Sequence, residues 1–109
     1  MAKDPEKLGI FVTSPLHMDK LVEIVRAAYR KGKKVKIFFT FKATLLVLHP
    51  FFEELKKIVP EDDLGICAAA FVCEGFEPEF HAAGLTQKQL TTQSFHGTIL
   101  EEVEKYIVL

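Results

Sequence analysis

Apolar positions along the chain fall into two alternating rhythms. Leu8-Gly-Ile-Phe-Val-Thr-Ser14 and Val35-Lys-Ile-Phe-Phe-Thr-Phe41 are β-branched and aromatic runs without a helical period. Each predicts a buried strand. Between them Leu21, Ile24, Val25 and Ala28 recur at helical spacing, with Tyr29 beside them. Arg26 and Arg30 take the other side and Gly32 ends the pattern, which predicts an amphipathic helix. Ser14-Pro15 reads as its start, a capping hydroxyl followed by a residue with preset φ. Strand, helix and strand with short links predict parallel pairing and a right-handed crossover.

The same alternation continues. Thr44 to Leu48 is apolar but short. Pro50 then opens a second helix, with Phe51, Leu55, Ile58 and Val59 as its buried stripe and Pro60 as its stop. Leu64 to Ala68 predicts a third strand, and Ala69 to Cys73 a short helix. Glu74 to Leu85 carries Gly75, Pro78 and Gly84 and reads as irregular and exposed. Thr86 with Gln89 resembles a capping box. One more short strand is expected near Leu90 to Ser94. Phe95, Ile99 and Val103 space a last helix, weakened by Gly97, and Tyr106 to Leu109 closes the chain as a strand. The sum predicts a three-layer α/β/α sandwich around a mainly parallel sheet of four or five strands. It forms one domain over residues 1–109, with no internal repeat or linker.

Composition narrows the classes. Net charge is −1 across 14 basic and 15 acidic residues, so nothing marks a nucleic-acid binder. The basic run Arg30 to Lys34 suits a solvated helix C-terminus. Glu53-Glu54, Asp62-Asp63 and Glu101-Glu102 read as solvated faces rather than a catalytic carboxylate pair. No stretch approaches the roughly 20 apolar residues of a membrane span. The polar start, Met1 to Lys7, lacks the apolar core of a signal peptide. A cytoplasmic protein is therefore expected, in which two cysteines are buried hydrophobes or redox-active thiols rather than a staple.

Cys67 and Cys73 bracket one small-residue stretch and are the main chemical candidates. The predicted fold puts Cys67 at the carboxyl end of a strand, where open α/β sheets hold their sites. The first βα turn adds Thr13, Ser14 and His17 as candidate auxiliary or anion-binding groups. All βα turns of a parallel sheet share one rim, so His17 is a candidate neighbour that would favour the Cys67 thiolate. Cys73 is a candidate resolving thiol. If residues 69–73 are helical, however, the two thiols point apart, which disfavours a direct disulfide. The four histidines, His17, His49, His81 and His96, lack the close spacing of metal ligands, so no metal site is expected.

The order and spacing of these segments resemble the DsrE/DsrF-like superfamily, which includes sulfur-relay proteins of the DsrE and TusD type. Leu8 to Pro15 is similar to that family's first strand and turn, and Val35 to Thr40 to its second strand. Gly65-Ile-Cys67 resembles the setting of the family cysteine, and Glu104 to Leu109 its closing strand. The resemblance covers nearly the whole chain. It implies a sulfur carrier that accepts sulfur on Cys67 as a persulfide and passes it to a partner protein, with no cofactor. It also implies a homo-oligomer, a trimer or hexamer; Leu45, Val47, Phe51, Phe76 and Phe80 are the apolar side chains expected at its interface. Where the fuller family pattern has serine, arginine and glycine, this chain reads Ala70, Glu74 and Gly75. Loss of the arginine removes a cation that favours thiolate, and Glu74 opposes it. Two other readings stand beside sulfur relay. One is a non-catalytic module binding a small anionic ligand near Ser14, His17 and Cys67. The other is an inactive scaffold subunit of a hetero-oligomer.

Overall fold

The computed structural model describes residues 3–77 and 85–109. Its strands are β1 (Asp4–Val12), β2 (Lys34–Phe39), β3 (Leu64–Cys67), β4 (Leu90–Thr91) and β5 (Val103–Val108). Its α-helices are α1 (Met18–Arg30), α2 (Phe52–Ile58), α3 (Ala68–Cys73) and α4 (Ser94–Glu102). A 3₁₀ segment, Phe41–Leu48, follows β2. Among the described residues the five strands are all parallel, in the order β4-β3-β2-β1-β5.

That order explains the layers. From β1 to β4 the chain always steps the same way across the sheet. Right-handed crossovers therefore put α1, α2 and α3 on one face. The return from β4 to β5 runs back across the whole sheet and carries α4 to the other face. Packing follows this division. Ile10, Val12, Val35, Ile37, Phe39, Leu64 and Ile66 alternate onto the first face, against Leu21 and Val25 of α1, Phe52 and Leu55 of α2, and Phe71 of α3. Phe11, Phe38 and Cys67 alternate onto the second, against Ile99 of α4 and Val103.

Among the described residues α4 is the main cover of the second face, and its sequence is cut for close approach. A Cβ at Gly9 would stand 2.5 Å from Ile99 Cγ2, and one at Gly65 would stand 3.0 Å from the Phe95 ring. Lys36 also points to this face. Only 7% exposed, it pairs with Glu102 at 3.1 Å and lies 5.0 Å from the centre of the Phe95 ring. Lys7 joins Glu102 to Asp63, at 3.5 and 3.2 Å.

Several expectations change. The first helix begins at Met18, not at Ser14-Pro15; the Ser14 hydroxyl instead accepts from the Leu16 amide in a local turn. Thr44 to Leu48 belongs to the 3₁₀ segment, whose three-residue repeat buries Ala43 with Leu46 and Thr44 with Val47. Val47 is thus a core residue and no interface candidate. In α2 the buried aromatic is Phe52, which meets Phe39 edge-on, while Phe51 is exposed. Asp63 and Glu102 are partly buried ion-pair partners rather than solvated charges. Val103 starts β5 instead of ending α4. At the expected capping box the Thr86 amide donates to Gln89 Oε1, but the Thr86 hydroxyl makes no bond, so only half the box forms. Phe80, His81 and most of the irregular stretch after Glu74 lie outside the described residues.

Candidate functional site

Three neighbouring strands end alike. β1 runs into Thr13, β2 runs into Thr40, and β3 ends on Cys67. Val12 pairs with Phe39, and Phe39 with Ile66. The next residues therefore form a row, Thr13, Thr40, Cys67, at the carboxyl rim of the second face. Strand spacing sets its pitch at about 4.8 Å. The row sits where α4 begins, just after the edge strand β4.

Gln93, the residue before α4, closes over this row. Its Nε2 donates to Thr40 Oγ1 at 3.2 Å and to Cys67 Sγ at 3.5 Å. Its Oε1 lies 3.4 Å from His96 Nδ1. An amide oxygen only accepts, so this contact calls for the proton on Nδ1. The His96 ring is in turn held by Phe11, with ring centres 4.0 Å apart. His96, Gln93, Thr40 and Cys67 form one connected polar chain above an aromatic floor.

Cys67 is nearly buried, 5% exposed, and faces an open cleft of about 420 Å³. Thr40, Phe41, Ala70, Cys73, Glu74 and Gln93 share its lining. Small side chains at Ala69 and Ala70 leave the space open. Lys42 reaches Glu74 across the rim at 3.7 Å, so a cation does approach this carboxylate, from the 3₁₀ segment rather than from α3. Both cysteines are free thiols, and Cys73 is exposed. Although helix α3 separates them, they line the same cleft.

A second lobe of about 310 Å³ shares Thr40, Phe41 and Gln93 with the first. Phe11, Thr13, His96, Tyr106 and Val108 complete it. Phe41 stands between the lobes, 67% exposed, with φ at 51°. A bulky residue in the left-handed region is strained and rare.

The sequence candidates divide. Cys67 and Cys73 come together in the cleft. Ser14 and His17 stay in the β1–α1 turn and line neither lobe; the residue that this turn contributes is Thr13. The nearby histidine is His96, from α4. Sequence reading missed Thr40, Phe41, Gln93 and His96. The signal for the threonine was present: Phe-Val-Thr13, Phe-Phe-Thr40 and Gly-Ile-Cys67 close three apolar strands with a polar or thiol residue of the same parity. Gln93 and His96 had no local signal, because only the return crossover brings α4 over this rim.

Among the described residues no group of three His, Cys, Asp or Glu side chains is arranged to hold a metal ion, and no helix is long and apolar enough to cross a membrane. The shifted ionisations lie elsewhere. Burial works against the charge on Lys7, but Asp63 and Glu102 outweigh it and hold the ammonium above its ordinary range. Burial raises the Tyr29 phenol. Compared with protein-family models, with curated proteins and with solved structures, the chain matches none.

Proposed function

We propose that the protein carries sulfane sulfur on Cys67 and relays it between a donor and an acceptor protein. The supporting observation is the Cys67 thiol facing an open cleft with the Gln93 amide at 3.5 Å. The Cys67 thiolate attacks the outer sulfur of a donor persulfide. The donor S–S bond breaks, the donor leaves as a thiolate, and a new S–S bond forms on Cys67. An acceptor thiolate then takes the outer sulfur and Cys67 leaves as thiolate. Each step exchanges one S–S bond for another, so no net oxidant, reductant or cofactor is needed. The added sulfur extends about 2 Å from Sγ. Within the cleft the Gln93 amide, at 3.5 Å from Sγ, and the Thr40 hydroxyl are donors available to it.

This reading takes the reducing cytoplasm as the setting and a homo-oligomer, trimer or hexamer, as the working form. Leu45, Leu48 and Phe51 are exposed apolar residues suited to such an interface. A monomer by sedimentation at micromolar concentration would remove that part of the proposal. The low exposure of Cys67 favours a second reading, a non-catalytic module in which the cleft only binds a small anionic ligand. An inactive scaffold subunit would do neither alone.

Intact-mass spectrometry after incubation with inorganic polysulfide separates these readings. Sulfur relay expects a reductant-reversible gain of one sulfur on the wild type and on Cys73→Ser, and none on Cys67→Ser. No adduct, or an equal adduct on Cys67→Ser, sinks it.

A further inference from the structure

The lobe beside the cysteine cleft is built differently from the cleft itself. Phe11, Phe41, Tyr106 and Val108 give it an aromatic and aliphatic side, beside the uncharged polar Thr13, Thr40 and Gln93 and the His96 ring. Phe11 and Tyr106 meet edge-on at 5.3 Å, which fixes one corner. Among its described lining residues there is no Asp, Glu, Lys or Arg. Lys42 and Glu74, the ionic groups that line the other lobe, are paired with each other. A ligand with carboxylates would lose its hydration here and meet no unpaired cation. At about 310 Å³ the lobe sits at the small end of ligand sites.

Thr13 and His96 add polar atoms to its wall, and Thr40 and Gln93 add them at the junction with the cleft. Thr40 is 6% exposed, and its oxygen accepts from Gln93, which leaves its own hydroxyl proton free to donate. Gln93 and Thr40 thus mark where a sulfur atom would be held, within reach of Cys67. The apolar lobe lies directly behind that point.

We infer that this lobe is a subsite for the body of a small, neutral, apolar or aromatic thiol. Its persulfide would be a donor to Cys67, and its thiol an acceptor from Cys67. The inference rests on the sulfur-relay reading and adds the substrate class. In the donor direction R–S–SH gives its outer sulfur to the Cys67 thiolate and leaves as R–S⁻. The R group stays in the lobe while the departing thiolate is solvated by Thr40 and Gln93.

Binding is testable without the reaction. Full-length Cys67→Ser is titrated with phenylmethanethiol and with reduced glutathione, followed by amide NMR shifts. Saturable shifts at Thr13, Thr40 and Tyr106 are expected with phenylmethanethiol, and none of comparable size with glutathione. Adding Tyr106→Ala, an exposed position whose loss spares the core, is expected to weaken binding severalfold to about tenfold, one aromatic contact. Equal or tighter glutathione binding overturns the inference. So do unsaturable shifts spread over Leu48, Phe51 and Val72, or binding unaffected by Tyr106→Ala. Shifts in this lobe that depend on protein concentration alone also overturn it, because a second copy then covers the face. Polysulfide loading of the wild type is read in parallel. Loading without phenylmethanethiol binding sinks only the subsite; binding without loading sinks the relay and with it the donor and acceptor roles, and leaves an apolar binding site.

Discussion

Gln93 Nε2 stands 3.5 Å from Cys67 Sγ while the same amide holds Thr40 and faces His96. The donor is neutral and oriented on both sides, so it favours whatever negative charge the sulfur carries without competing for the proton. Gln93→Glu replaces it with a carboxylate of the same length. A like charge at this distance opposes the thiolate. Iodoacetamide alkylation of Cys67 is expected to slow about tenfold at neutral pH, and its half-maximal rate is expected to move to higher pH. Gln93→Ala should slow it less and move the profile less. Unchanged profiles in both variants would show that Gln93 does not act on the thiol.

The ion pair under α4 predicts an asymmetry. Lys36 is nearly buried on the second face and depends on Glu102 for its counter-charge. Glu102→Ala leaves that ammonium facing the Phe95 ring and the sheet alone, since Lys7 is a like charge. A loss of about 1–3 kcal/mol is expected in urea unfolding, held below the cost of a fully buried pair because Glu102 is a third exposed. Lys36→Met removes the charge and keeps the packing against Phe95, so it is expected within about 1 kcal/mol of wild type. Equal losses in the two variants would mean that the pair only fills space.

These details mark what the sequence could and could not disclose. β-branched and aromatic runs and 3.6-residue periods placed four strands and left a fifth open near Leu90 to Ser94, because burial on both sheet faces writes itself into runs such as Ile10 to Val12. Boundaries slipped where two signals competed. Ser14-Pro15 is a good helix start, but the chain makes a turn first and the helix opens at Met18. Phe51 and Phe52 are adjacent aromatics, and only packing against Phe39 selects the second. Cys67 was legible because its strand and small-residue turn are local. Gln93 and His96 were not, since their approach to Cys67 depends on a crossover spanning the sheet.

Alkaline pH is expected to destabilise the fold through two groups acting together. Lys7 titrates higher when folded, because Asp63 and Glu102 favour its charge more than burial opposes it. Tyr29 also titrates higher when folded, because burial disfavours the phenolate. In both cases the folded state holds the proton more tightly than the unfolded chain. The added stability is complete below the unfolded values, 10.5 for lysine and 10.0 for tyrosine, and drains as pH rises through the folded ones. Chemical-denaturation midpoints should therefore fall above about pH 10. The double variant Lys7→Met, Tyr29→Phe should flatten that fall. A midpoint that does not change between pH 8 and 11 would remove both linkages.

Phe41 tests whether strain at the cleft serves binding. Its φ of 51° costs about 1–2 kcal/mol for a residue with a Cβ. Its ring is mostly exposed, so little burial offsets that cost. Phe41→Gly relieves the strain but adds backbone freedom to the unfolded chain, worth about 0.5–1 kcal/mol in the opposite sense. The variant is expected to unfold at a temperature no lower than wild type. It also opens the wall between the two lobes, and phenylmethanethiol affinity is expected to fall severalfold. Stability lost along with binding would make the ring part of the packing. The Thr44 hydroxyl, which donates to the Phe41 carbonyl at 3.0 Å, holds the backbone in either variant, so stability kept with binding weakened would assign the ring to the ligand.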